Sequence, residues 1–299
     1  MVAAAVTGSP PTGRVVRMVS FLAAHPDRSF SLSELARAAE ITTATCHAIL
    51  VSLVEAGWVT RTDLTYGLGP AMLAIGRAAA AGYSMARAAA SELAGLAAAT
   101  GFTAGVSVLD GESVVLVDAV GAGAAELIGR RVPYVPPIGI VFAAFDPAGC
   151  DDWLNRLPGT GDGRIGDRDE LRTALDLISR RGYVIEHFTP AATKLRDVLA
   201  DIACSPSSAD GPLQDAVLSL LARLGPGEHF PVAPEGDETT VVTVLGVPVR
   251  GVDGHVDAHL WLHPGLEMSG AQIAAAVDLL SSAAARAAAS SSIEKGRAS

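Results

Sequence analysis

The chain has 299 residues, enough for two domains that each bury a core, so neither a disulfide framework nor a structural metal is required for stability. Its three cysteines, Cys46, Cys150 and Cys204, lie far apart and never in a C-x-x-C spacing, which disfavours a zinc site and suits a reducing compartment. The net charge of -10 disfavours a polyanion-binding surface over the whole chain, but it is uneven: residues 1–100 carry seven arginines against six acids, +1, and the remainder carries -11.

Residues 1–12, rich in Ala, Pro, Gly and Ser, read as a disordered leader without the features of a secretory signal. Val15, Val16, Val19, Leu22 and Ala23 then recur at helical spacing until Pro26. Ser31 and Glu34 stand in the S-x-x-E arrangement in which each side chain satisfies a free backbone N–H, so a second helix starts there and turns Leu32, Leu35 and Ala38 inward. After a short connection, Thr42 or Thr43 caps a third helix, whose Cys46, Ile49, Leu50, Leu53 and Val54 form an apolar stripe that stops at Gly57. Three helices with so short a turn between the last two make a helix-turn-helix. Residues 58–61 and 66–68 predict a two-stranded hairpin, and a hairpin directly after a recognition helix is a wing, so the winged domain spans 13–69. Residues 70–100 are Ala-rich and predict a linker helix, broken near Gly82, whose small side chains permit close pairing with a second copy.

From Thr100 the pattern changes to strands. Residues 104–109 and 113–119 flank Asp110-Gly111 and predict a hairpin, because that pair supplies the positive φ of a tight turn. Residues 124–128 extend that sheet and a proline-rich turn follows at 133–137. Helices are expected at 138–145, 150–157 and 170–181, with a glycine-rich mobile loop at 159–166. A strand at 183–187, a hairpin of 239–249 with 255–262, and a C-terminal helix from Ser269 complete an α+β domain over 101–290 with an antiparallel sheet, an insert at 190–237 and a tail at 291–299. No stretch reaches the apolar length of a membrane span, so a cytoplasmic chain without a membrane partner is expected.

Little here points to catalysis. There is no G-x-S-x-G elbow and no cysteine beside a plausible pairing of His and acid, and Cys46 lies on a buried stripe. His255, Asp257, His259, Trp261 and His263 alternate and would share one strand face. Alternate residues on a strand stand about 6.5 to 7 Å apart, so the three histidines cannot share an ion and no metal site is assigned. The preferred role for this face is the wall of a pocket, since an exposed Trp261 would be costly. Arg130 and Arg131 at a strand end are read as a solvated edge, only one of which can face a pocket.

By the order of its elements and by SLSELARAAEITTATCHAIL, LVEAGWV, YGLGPAMLAIGRA, TGFTAGVSVLDGESVVLVD and RRGYVIE, the chain resembles the IclR family of bacterial transcriptional regulators over most of residues 13–290. The resemblance implies a multidomain protein: a winged helix-turn-helix, a helical linker used for dimerisation, and an α+β GAF-like domain that binds a small-molecule effector. Where the family commonly carries Arg on the recognition helix, this chain has Ala48, so base reading falls to Thr42, Thr43, Thr45, His47 and Ser52, with Arg61 from the wing. The family's polar effector anchors are replaced by apolar residues, which points to an apolar or aromatic effector held by Pro136, Gly139, Phe142, Glu186, His187, Leu245, His259 and Trp261. The expected protein is a homodimer, or a tetramer of paired dimers, on double-stranded DNA, without a cofactor. The competing expectation is an enzyme or metal-binding protein built on the His255, Asp257 and His259 strand, with the N-terminal motif serving dimerisation.

Overall fold

The computed structural model describes residues 9–122, 124, 128–156, 166–204, 216–217, 230–251 and 253–298, which form two compact units divided between Tyr83 and Ser84. In the first, α1 (Pro10–Ala23), β1 (Phe30–Ser31), α2 (Leu32–Ala38), α3 (Thr43–Glu55), β2 (Val59–Thr62), β3 (Thr65–Leu68) and α4 (Ala71–Ala81) follow in order. The first helix starts inside the expected leader, because Pro10 and Pro11 occupy initial helical positions whose N–H groups have no intrahelical partner anyway. The predicted capping box is present: the Ser31 N–H donates to Glu34 Oε2 at 2.8 Å and the Glu34 N–H to Ser31 Oγ at 3.4 Å. Thr42, not Thr43, caps α3, accepting from the Thr45 N–H at 3.2 Å. Met18, Leu22, Leu35, Cys46, Leu50, Leu53, Val59 and Tyr66 fill one core, and burial raises the Cys46 thiol pKa, as befits a packing residue. The wing has a third strand that two residues are too few to announce, β1, which pairs Phe30 with Tyr66.

The second unit opens with α5 (Ser84–Ala90) and α6 (Leu93–Thr100). The expected linker thus ends at Tyr83 as a separate piece. Met85, Ala89, Leu93 and Leu96 are buried in the core of the second unit, because their apolar stripe has a sheet to cover. Next come β4 (Thr103–Asp110), β5 (Ser113–Val120), β6 (Arg131–Pro133), α7 (Ile140–Ala144), α8 (Cys150–Asn155), α9 (Gly166–Arg181), β7 (Val184–Glu186) and α10 (Pro190–Cys204). The unit closes with β8 (Thr239–Val242), β9 (Val244–Arg250), β10 (Val256–His263), β11 (Leu266–Ser269) and α11 (Gly270–Ala298). Six strands form one antiparallel sheet in the order β6-β5-β4-β10-β9-β7, and β8 pairs with β11 in a separate two-stranded ribbon.

Two strand expectations change here. The strand after the first hairpin is β6 at Arg131–Pro133, not 124–128, of which residues 125–127 lie outside the described residues. The expected strand 239–249 is two strands in two sheets, broken at Thr243, whose N–H donates to Glu186 O at 2.8 Å and whose hydroxyl accepts from the Phe188 N–H at 2.9 Å. The expected loop at 159–166 falls outside the described residues except for Gly166, which begins α9, and most of the insert beyond Cys204 lies outside them too. Among the described residues one helix, Gly270–Ser291, is long and apolar enough to cross a membrane, which the sequence expectation did not anticipate. It buries Ile273, Leu280, Ala283 and Ala287 in the core against the sheet.

Strand alternation decides where the core sits. Ala104, Val106 and Val108 of β4, Leu245, Val247 and Val249 of β9, and Ala258, Leu260 and Leu262 of β10 pack with α5, α6 and α11. The intervening residues face the other way, toward α7 and α10. On that side a second cluster joins Tyr134, Phe142, Trp153, Leu171, Ile178 and Phe230.

Candidate functional site

The first unit presents one face of α3 to solvent. Thr42, Thr43, Ala44, His47, Ala48, Val51, Ser52 and Glu55 are exposed, opposite the buried Cys46, Leu50 and Leu53. The hydroxyls of Thr42 and Thr45 lie 2.9 Å apart at the helix N-terminus, and Thr45 is half-buried. Thr45 and Ser52 border a shallow groove with Val15, Ala48, Ile49 and Trp58. Arg61 stands on β2, its Nε donating to Asp63 O at 3.0 Å and its guanidinium 5.7 Å from the Tyr66 ring centre, which holds a cation at the wing. All six predicted DNA-contacting residues therefore lie on one helix and the adjoining wing. Arg28, by contrast, is engaged by Glu34 at 2.7 Å.

The second unit holds a cavity of about 410 Å³ on the sheet face turned away from α11. Its floor is made by two residues of β10 lying over glycines. Trp261 pairs with Gly105 across the β4 register, and a Cβ on that glycine would collide with the indole. The His259 ring lies over Gly246 of β9 in the same way. The Trp261 indole N–H donates to Ser107 Oγ at 3.0 Å, which fixes the ring flat. Val114, Leu116, Val132, Ile138, Phe142 and Val244 supply most of the apolar wall.

Polar side chains enter the lining from β4 (Thr103, Ser107), β10 (His259, His263), β7, α10 and the segment before β6. Glu186 follows from β7, Thr193 and Asp197 from α10, and Arg130 pairs with Asp197 at 3.4 Å. His259 is buried, its ring centre 6.3 Å from that of Phe142 in an edge-on contact. Burial pushes its pKa down to about 3, so the imidazole is neutral, and its Nε2 has no hydrogen-bond partner among the described residues. A neutral imidazole that lines an apolar cavity can donate or accept one directed hydrogen bond but supplies no charge.

Of the eight effector residues expected from sequence, Gly139, Phe142, Glu186, His259 and Trp261 line this cavity. Leu245 does not: it is fully buried on the opposite sheet face, where alternation puts it, and its neighbour Val244 takes the cavity position. Pro136 and His187 are not among the lining residues either, Pro136 being buried in the turn before α7 and His187 lying one residue beyond β7. The sequence reading missed Ser107, Arg130 and Asp197, and it took Arg130 for a solvated edge. Arg131 does pair outward, with Asp110 at 2.8 Å. Alternation along that chain segment was the available signal.

The histidine strand does not assemble as the competing expectation required. The register slips between Val256 and Ala258, so Val256 packs with the second cluster, Asp257 sits beside Gly251, and His255 precedes the strand. Among the described residues no three His, Cys, Asp or Glu side chains converge on a point that would hold a metal ion.

Residues 9–64 match the family model of the MarR family, which covers the winged helix. No curated protein matches the chain. Among solved structures it is similar to the IclR transcriptional regulator of Alicyclobacillus acidocaldarius, at 22% identity and TM-score 0.57 over 95% of this chain and 99% of that one. It is also similar to the Thermotoga maritima IclR, at 17% identity and TM-score 0.60 over 93% and 97% of the two chains. An IclR homologue from Microbacterium hydrocarbonoxydans, complexed with 4-hydroxybenzoate, aligns at 19% identity and TM-score 0.57 over 93% and 98%. Over nearly its whole length, then, this chain has the fold of the IclR transcriptional regulators: a winged helix followed by an α+β domain on an antiparallel sheet.

Proposed function

We propose that the chain is a transcriptional regulator, not an enzyme, that binds double-stranded DNA through α3 and the wing and responds to a small molecule held in the cavity of the α+β unit. The observation that carries this reading is the presence, in one chain, of a capped recognition helix with its surface turned to solvent and a cavity walled by a glycine-backed sheet face. Thr42, Thr43, Thr45, His47, Ser52 and Arg61 are the proposed DNA contacts. Gly139, Phe142, Glu186, His259 and Trp261 are the proposed effector contacts, joined by Ser107, Arg130 and Asp197. The apolar wall favours an apolar or aromatic effector, since burial of apolar area contributes about 25 cal/mol per Å² and the polar side chains of the lining orient the molecule. The 4-hydroxybenzoate complex of the Microbacterium homologue supports a ligand of that size.

The protein acts as a homodimer in the cytoplasm. Leu73 is 69% exposed and Ile75 41% exposed on α4, an apolar helix surface suited to a second copy. Two recognition helices one DNA turn apart would compensate for the weak charge of a single module. The test is selection of genomic DNA fragments by the purified full chain beside a Thr43→Ala, His47→Ala variant. An inverted repeat enriched by the parent and lost by the variant supports the reading, and no enrichment even at low salt overturns it. A thermal-shift panel of aromatic and short-chain acids then tests the cavity: stabilisation by short carboxylates alone overturns the apolar effector.

A further inference from the structure

We infer that α3 reads thymine methyl groups, so that the target half-site is recognised by apolar contact at thymines rather than by hydrogen bonds to guanine; this rests on the DNA-binding reading above. Residues on a helix are spaced about 100° apart. Ala44, Ala48, Val51 and Glu55 therefore follow one another along the side of α3 opposite the buried Cys46, Leu50 and Leu53. Three of these four are apolar. Val51 is 43% exposed, an isopropyl group on the outermost line of the helix, and its β-branching restricts it to essentially one rotamer there.

The chemistry of the major groove gives this face one apolar partner. Each base pair presents hydrogen-bond donors and acceptors there, and only thymine adds a methyl group, which packs against Ala and Thr methyls. Guanine is read best by a bidentate Arg or Lys, and α3 carries neither. Ala44 and Ala48 also keep the helix surface low, so the backbone can approach the base edges closely. Thr43 and His47 flank the row and retain polar contacts for adenine or phosphate. Glu55 ends the row with a carboxylate, which repels phosphates and confines close approach to the part of α3 before it. The nearby wing cation, Arg61, donates its Nε–H to Asp63 O.

The experiment replaces thymine by deoxyuridine, which removes only the methyl group. The full chain first selects its site from random-sequence duplexes, and each thymine of that site is then changed in turn. The expected result is a loss of roughly four-fold in affinity for each methyl packed against α3, at two or more positions per half-site and mirrored between half-sites. Val51→Ala, an exposed change, should reduce the penalty at one position and leave the others. A selected site that is indifferent to uracil at every position, or that has guanine where α3 lies, overturns the inference while leaving DNA binding intact. Failure to select any site overturns both readings. The uracil series on the parent protein decides even if Val51→Ala proves unstable.

Discussion

The two faces of the six-stranded sheet are built from the same strands, and they differ in what the alternate residues carry. Toward α11 every second position is Ala, Val or Leu, and the small residues of the helices close over them with almost no exposure. Toward α7 and α10 the same strands offer Gly105, Gly246, Ser107, His259 and Trp261, and a cavity of about 410 Å³ remains. Two glycines make the difference. They let two large rings lie down along the sheet, and rings lying flat leave space above them where upright side chains would fill it. One face holds the unit together, and the other leaves room for a ligand.

The comparison can be broken most severely from the closed side. Leu260→Ala, at a fully buried position, should cost about 2–5 kcal/mol, read as a drop in the denaturant midpoint of the α+β unit. Val244→Ala, on the cavity side of the neighbouring strand, should cost clearly less, because its side chain borders space rather than packed atoms. Equal losses would mean that the two faces are packed alike. Gly105→Ala attacks the open side: the new methyl collides with Trp261 and should cost about 1–3 kcal/mol while shifting indole fluorescence as the ring is displaced. An unchanged emission maximum would show that the indole does not rest on that glycine.

A third test uses pH. His259 has its folded pKa depressed to about 3, whereas an unfolded histidine titrates near 6.5. Below about pH 6.5 the unfolded chain takes up a proton that the folded chain refuses, so stability falls as pH drops toward 3 and is flat above neutrality with respect to this group. The slope from one such group is at most about 1.4 kcal/mol per pH unit. Glu186, Asp197, Arg130 and His263 line the same cavity and remain in the variant, so the reading is the difference in slope between the parent and His259→Phe. Identical slopes would count against a buried neutral imidazole. The smallest expected effect is that of Ser107→Ala, which removes the acceptor of the indole N–H and should cost about 1 kcal/mol, with a loosened Trp261 visible as lower fluorescence anisotropy.

Most of the first unit was legible in the sequence because its signals are local. A capping box needs Ser31 and Glu34 three residues apart, and a wing needs two short strands around a turn. The third wing strand was hidden, since Phe30 and Ser31 become a strand only by meeting Tyr66 and Thr65. The cavity was legible in part. His259 and Trp261 were assigned to one face of β10 by alternation alone, and Phe142 through the family resemblance, from the apolar residues that stand in place of the usual effector anchors. Leu245 was misplaced by one residue of phase, and Arg130 was undervalued because its partner Asp197 lies 67 positions away in the chain.

What the sequence alone determined is the helix-turn-helix with its caps, the hairpins, the split between a near-neutral N-terminal region and an acidic remainder, and the absence of a nucleophile motif. These depend on neighbours within a few residues or on composition. Tertiary structure decided which strand joins which sheet, why 239–249 divides at Thr243, where the second unit begins, and that one side of the sheet stays open. Those outcomes depend on pairing register and on which helix covers which face. A glycine in a strand pattern reads only as weakness until the ring that lies over it, from a strand more than 150 residues away, is in place.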